Sequence, residues 1–287
     1  TLSLDEMDSH QAKDLVILFD LDGTLSDSDG IHLKVFQDFL APHGFKVDEE
    51  FFMKNIHGGQ NVDIFGRLFP QMTIEEINVM SEEKEELFRS IVRAGGALRP
   101  VPGAVEFLQW LEGQGIRRAF VTNAPRANAE CMLEALDIAR YGEALVIGDE
   151  CARGKPHPDP YLEGARRVGA PMARCAVFED SPSGARSGLA AGACALIGVC
   201  TTLTPTKMKE EIGASFTISN YSDDNGLREY ILNLRQQIMQ HHQGEEGGGG
   251  EETKNRTVEK QEVVMMDNDD VVVASAEAPV DVVAPPS

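Results

Sequence analysis

Apolar and polar positions follow two rhythms along the chain. Continuous apolar runs of four or five residues occupy 15–19, 119–122, 144–147, 175–178 and 195–199. That is the pattern of strands covered on both faces. Between them, apolar residues recur at three- and four-residue spacing. One such segment starts at Pro102 and carries Val105, Leu108 and Leu111; others span 128–136, 159–168 and 183–191. Strand and helix in repeated alternation predict an α/β fold with a doubly wound parallel sheet and helices on both faces.

One stretch interrupts this alternation. From about Asp27 to about Leu98 only helical patterns occur. Val35, Phe36, Phe39 and Leu40 form one amphipathic face, ended by Gly44. Thr73-Ile74-Glu75-Glu76 reads as a capping box. The helix it opens keeps Ile74, Ile77, Met80, Leu87, Phe88 and Ile91 in helical register. Residues 27–97 are therefore expected to form an all-helical insert after the first strand of a core made of 14–26 and 98–236. Residues 23–27 and Gly95-Gly96 are the expected crossings. Residues 1–13 read as an N-terminal extension and 237–287 as a disordered acidic tail. From His241 onward the chain is glycine-rich, acidic and Pro/Ala/Val-rich, and Val271-Val272-Val273 is too short to anchor a core. The sequon Asn255-Arg256-Thr257 falls in this tail and is read as chance.

Composition changes the picture in what it excludes. The 287 residues carry 26 Lys+Arg against 47 Asp+Glu, a net charge of −21. Residues 241–287 hold −8 of it and the rest of the chain −13. Such acidity argues against nucleic acid and against an anionic membrane as partner. No apolar run approaches the roughly 18–20 residues of a membrane span. The five cysteines contain no CxxC pair, so a reducing compartment is expected. The cytoplasm is the expected location, with a plastid left open because the chain opens on Thr1 and a targeting segment would lie outside it.

In an open parallel sheet, ligands bind at the carboxyl ends of the strands. The first strand is followed by Asp20-Leu21-Asp22-Gly23-Thr24-Leu25, the second by Thr122-Asn123, the third by a loop holding Gly154-Lys155-Pro156, and the fourth by Glu179-Asp180. Four carboxylates would then converge on a single ammonium, and like carboxylates at close range do not all stay ionised unaided. A divalent cation that prefers oxygen resolves the conflict, and Mg²⁺ fits hard carboxylate ligands. The cation and Lys155 would then neutralise an incoming phosphoryl group. A calcium loop at Asp27-Ser28-Asp29-Gly30 is rejected, since Leu25 stands where the spacing needs Asp.

These four segments, with Phe178-Glu179-Asp180-Ser181-Pro182-Ser183-Gly184 as the last, resemble the ordered motifs of the haloacid dehalogenase (HAD) superfamily. The helical insert resembles the cap of its beta-phosphoglucomutase-like branch. Ile31-His32-Leu33, Asn55-Ile56-His57-Gly58, Val121 to Pro125 and Lys155 to Tyr161 are most similar to plant-type broad-range sugar-phosphate phosphatases. The resemblance covers roughly residues 14–235. It implies Asp20 as a nucleophile forming an aspartyl phosphate, and Asp22 as the acid that protonates the leaving oxygen and then activates water. Thr122 and the Asn123 amide would hold phosphoryl oxygens, and Lys155 would bridge nucleophile and phosphoryl group. Mg²⁺ would be held by Asp20, the Asp22 carbonyl, Glu179 and Asp180. His32 would orient Asp22.

Asp22 excludes the dehalogenase and phosphonatase branches, which lack an acid there. A phosphatase of small phosphorylated sugars or polyols and a sugar-phosphate mutase remain. A mutase needs a cap cation for its second phosphate, whereas the substrate loop His57-Gly58-Gly59-Gln60-Asn61 carries neutral Gln60 and Asn61, which favours hydrolysis. Gln60 and Asn61 are expected to bond sugar hydroxyls. A catalytically silent binding protein is disfavoured because Asp20, Asp22 and Lys155 are all retained. A monomer is expected from the cap type.

Overall fold

The computed structural model describes residues 14–56, 59–222 and 225–246. In chain order the strands are β1 (Val16–Phe19), β2 (Ser26–Asp27), β3 (Arg99–Pro100), β4 (Arg117–Thr122), β5 (Leu145–Ile147), β6 (Cys175–Glu179), β7 (Ala195–Val199) and β8 (Phe216–Ile218). The α-helices longer than one turn are α1 (Asp29–Leu40), α2 (Glu49–Asn55), α3 (Asn61–Leu68), α4 (Ile74–Arg93), α5 (Ala104–Gly113), α6 (Arg126–Ala135), α7 (Asp159–Arg167), α8 (Pro182–Ala190) and α9 (Leu227–Glu246). Six strands pair in the order β5-β4-β1-β6-β7-β8, all parallel. This is the parallel α/β sheet that the apolar runs predict.

Successive β1 residues enter opposite cores, as the two-residue period of a strand requires. Ile17 and Phe19 pack with Phe107, Phe178 and Tyr221, while Val16 and Leu18 pack with Val121, Val177 and Tyr161. Burying each such side chain contributes about 1.5–3 kcal/mol, so the register of β1 is strongly set. Phe19 lies level with Phe120 on one side and Phe178 on the other. Asp20, Thr122 and Glu179 therefore emerge at the same edge.

The insert, α1 to α4, has its own cluster of Phe36, Leu40, Phe52, Ile64, Phe65, Ile77 and Met80. The Thr73 capping box forms, with Thr73 Oγ1 accepting from the Glu76 amide at 3.3 Å and Glu76 Oε2 accepting from the Thr73 amide at 2.8 Å. Helix α4 serves two cores. Ile77 and Met80 fill the insert, while Phe88 and Val92 join the core on the sheet.

The crossings to the insert form a two-stranded antiparallel ribbon, Ser26 opposite Pro100 and Asp27 opposite Arg99. The first crossing is at Ser26–Asp27. The second lies at Arg99–Pro100 rather than at Gly95-Gly96, whose positive φ values (87° and 75°) instead end α4. The C-terminal boundary also moves. Residues 237–246, expected in the tail, continue α9. Leu227, Ile231, Leu234 and Ile238 extend a helical stripe packed on the sheet core. Residues 1–13, His57, Gly58, Asp223, Asp224 and 247–287 lie outside the described residues. Among the described residues, no helix is long and apolar enough to cross a membrane.

Candidate active site

The ends of the central strands deliver polar groups to a common cleft of about 740 Å³ between sheet and insert. Lys155 is the hub. It is buried, and its ammonium donates to Asp20 Oδ1 at 2.7 Å, to the Val121 carbonyl at 2.7 Å and to Glu179 Oε1 at 2.6 Å. All three donor positions are thereby used. Asn123 locks the loop that carries it, accepting from the Lys155 amide at 3.0 Å and donating to the Lys155 carbonyl at 3.1 Å. Thr122 Oγ1 accepts from the Ala124 amide at 3.0 Å, which fixes the turn after β4.

Glu179 is fully enclosed. Its Oε1 also accepts from the Tyr161 hydroxyl at 2.8 Å, and its Oε2 accepts from the Ser181 hydroxyl at 3.1 Å. Gly184 makes room for it, since a Cβ there would lie 1.7 Å from Glu179 Oε1. Asp180 faces the cleft. The Thr202 hydroxyl donates to its Oδ2 at 2.6 Å and the Thr24 hydroxyl to its Oδ1 at 3.3 Å.

Asp20, Glu179 and Asp180 each offer a carboxylate oxygen within 4.8 Å of the others. Three buried carboxylates against one ammonium leave a charge mismatch. Burial pushes Asp20 up to about 7, with Glu179 adding and Lys155 opposing. Burial, then Asp20 and Glu179, raise Asp180 well above the carboxylate range. Despite burial, Asp20 and Glu179 hold the Lys155 ammonium above its ordinary value. An all-oxygen donor set that binds protons for want of positive charge fits a hard divalent cation.

Asp22 points elsewhere. The Ser28 hydroxyl donates to its Oδ1 at 2.7 Å, and His32 Nε2 lies 3.3 Å from the same oxygen. Burial alone would raise the Asp22 carboxyl. The hydrogen bond and charge of His32, the Ser28 bond and the charge of Lys84 instead hold it below its ordinary value. The His32 ring stacks on Phe88, with centroids 4.7 Å apart. The two aspartates two positions apart thus face different surroundings.

The insert forms the roof. Gly59, Gln60 and Asn61 line the cleft, whereas Gly58 lies outside the described residues. One of the two Nδ2 donors of Asn61 is committed to Glu85 Oε1 at 2.5 Å. The roof also holds a cation that the neutral substrate loop conceals. Lys84, on α4, is buried beside Glu85 at 2.6 Å and over the Phe36 ring at 4.9 Å. Its burial was hidden in the sequence because Lys84 and Glu85 read as part of a charged helix face. Tyr161, Thr202 and Ser28 were likewise missed. Tyr161, in the segment after Lys155, and Ser28, in the rejected calcium-loop stretch, lay in segments already singled out, whereas Thr202 did not. Arg126 pairs with Glu150 and Glu130 outside the cleft, and Trp110 stacks on Phe107.

Comparison with known proteins places this geometry. A family model described as a haloacid dehalogenase-like hydrolase matches residues 15–192. The "Phosphorylated carbohydrates phosphatase" of Thermotoga maritima is 26% identical over 220 residues, covering 75% of this chain and 99% of that protein. "Hexitol phosphatase A" of Escherichia coli is 33% identical over 195 residues, covering 67% and 86%. A solved structure of a "putative beta-phosphoglucomutase" from Thermotoga maritima matches with a TM-score of 0.58 at 25% identity, covering 78% of this chain and 99% of that one.

Proposed function

The chain belongs to the haloacid dehalogenase-like hydrolases, and on that footing we propose that it is a Mg²⁺-dependent phosphatase of small sugar or polyol phosphate monoesters. The observation that carries the reading is the pair of unlike aspartates. Asp20 is bonded to Lys155 within a cluster of three carboxylates, while Asp22 is held apart by Ser28 and His32. Curated phosphatases among the relatives support the substrate class.

Asp20 and Asp180, with Glu179 behind them, would hold the cation, joined by the Asp22 backbone carbonyl. When bound, the cation would favour ionised Asp20 and neutralise phosphoryl charge. In the first step one Asp20 oxygen attacks phosphorus, the bond to the sugar oxygen breaks, and Asp22 gives that oxygen its proton. In the second, Asp22 takes a proton from water as the water attacks the aspartyl phosphate, releasing inorganic phosphate and restoring Asp20. Asp22 must therefore start protonated, although His32 and Ser28 favour its anion in the free protein. The approach of a phosphoryl dianion opposes that anion and raises the Asp22 carboxyl when it is needed. Lys155 keeps Asp20 oriented and meets the phosphoryl charge. The Thr122 hydroxyl and Asn123 amide bind phosphoryl oxygens. The insert excludes bulk water, with Gln60 facing the sugar.

Lys84 favours a second reading, a sugar-phosphate mutase that grips a second phosphate with a roof cation. Its charge is matched by Glu85 at 2.6 Å, so the pair presents no net charge, which supports hydrolysis. Steady-state phosphate release from a panel of sugar and polyol monophosphates, with Mg²⁺ titration and EDTA, tests the reading. Metal-dependent release is expected. Isomer interconversion that outpaces phosphate release would overturn it in favour of the mutase.

A further inference from the structure

We propose that Asn128 is a positioning residue that latches the helical insert to the sheet domain and so sets the roof of the cleft. Its effect on turnover rests on the phosphatase reading; its effect on the insert does not. Asn128 lies in the first turn of α6, on the sheet side, and is 2% exposed. Its Oδ1 accepts from Arg89 Nη1 at 2.9 Å, and its Nδ2 donates to Glu85 Oε2 at 2.5 Å. Glu85 and Arg89 stand four residues apart on α4, in the insert, and both are buried. A primary amide suits this position because it offers an acceptor to a guanidinium and a donor to a carboxylate at once. A carboxylate there would oppose Glu85, and an ammonium would oppose Arg89.

The chain of bonds continues to the cleft. The other oxygen of Glu85 accepts from Asn61 Nδ2 at 2.5 Å and from Lys84 Nζ at 2.6 Å. Asn61 is the first residue of α3 and follows Gly59-Gln60 directly. A single connected network therefore runs from α6 of the sheet domain, through α4, to the loop over the cleft. Asn61, Lys84, Glu85 and Asn128 all line that cleft.

The covalent connections between insert and sheet domain are the two short strands β2 and β3. A ribbon of two residues per strand can act as a hinge. The Asn128 contacts on α4 add a tie away from that hinge and so oppose rotation about it. Swinging the insert away would strip Asn128 from two buried charges, and such bonds are expensive to leave unmade. The latch thus holds Asn61 and Lys84 at fixed positions over the substrate.

The test is the isosteric variant Asn128→Asp, compared with Glu85→Gln and with the double variant carrying both, in the full chain. In Asn128→Asp two carboxylates would face each other. Phosphatase kcat/KM is expected to fall by about 10- to 100-fold, and amide hydrogen exchange across residues 59–64 and 82–90 to accelerate. In the double variant the new amide at position 85 can donate to the new carboxylate at position 128. There kcat/KM should recover to within about threefold of Glu85→Gln, and exchange should slow again. Unchanged exchange in Asn128→Asp, or no recovery in the double variant, overturns the latch. Should Asn128→Asp fail to fold, Asn128→Ala must show the same faster exchange, and unaltered exchange there is equally contrary. A wild-type protein that releases no phosphate would instead sink the phosphatase reading, with the exchange comparison still deciding the latch.

Discussion

Replacing the proposed nucleophile should stabilise the metal-free protein. Asp20→Asn keeps an oxygen that can accept from Lys155, at 2.7 Å in the wild type, and removes one charge from the cluster of Asp20, Glu179 and Asp180. In the folded protein Asp20 is pushed from 3.8 to about 7, chiefly by burial. At about 1.36 kcal/mol for each tenfold change, ionising it in the folded state costs about 4 kcal/mol. The raised value means that the folded protein holds a proton that the unfolded chain has already lost. Wild-type stability should therefore decline as pH rises from about 4 to about 7 and level off above. The neutral amide of Asp20→Asn has no such transition. Allowing for relaxation around the charge, the variant should exceed wild type by about 3 kcal/mol at pH 8, or about 6–12 °C in Tm. The gap should close towards pH 4. Thermal unfolding followed by circular dichroism in EDTA, from about pH 4.5 to about pH 8.5, reads this directly. Added Mg²⁺ should raise wild-type Tm more than that of the variant. A variant less stable than wild type at pH 8, or a difference independent of pH, would refute the reasoning.

Three further substitutions probe the same cluster. Lys155→Met leaves Asp20 and Glu179 without their buried cation; unfolding should become easier by about 3–5 kcal/mol in EDTA and phosphate release should fall at least about 100-fold. Gly184→Ala would bring a Cβ to 1.7 Å from Glu179 Oε1, forcing that carboxylate off Lys155 and Tyr161. A loss of about 1–3 kcal/mol by denaturant titration is expected, together with weakened phosphate release. Thr202→Val removes the hydroxyl that donates to Asp180 at 2.6 Å, so Mn²⁺ binding followed by calorimetry should weaken about tenfold or more.

The main sheet was legible because parallel strands covered on both faces leave continuous apolar runs. Leu15 to Phe19 stands out for that reason, and all of it is buried. The convergence of the candidate site residues was legible because they follow those strands directly, and the register of Phe19 with Phe120 and Phe178 brings the strand ends level. What lay hidden depends on pairings across long sequence separations. Nothing near Asn128 indicates that it meets Glu85 and Arg89, and Lys84 among glutamates has the pattern of a solvated helix face. Strand β8 was missed because Phe216-Thr217-Ile218 is too short to register as a run. The helix end at Glu246 was misplaced because Gln236, Gln237, Gln240 and two histidines dilute the apolar stripe that Ile231, Leu234 and Ile238 maintain.

The central claim is that phosphate passes through a covalent bond to Asp20. It is tested most directly by acid-quenching the Asp22→Asn variant during turnover of a sugar phosphate and mapping its peptides by mass. That variant lacks the group that gives the leaving oxygen its proton and then activates water, so both steps slow and the intermediate, once formed, lives long enough to be trapped. The account predicts one phosphoryl group on the peptide carrying Asp20, lost when Asp20 is also replaced by asparagine. A peptide that never carries phosphate, alongside an Asp20→Asn variant that still releases phosphate at the wild-type rate, would contradict it.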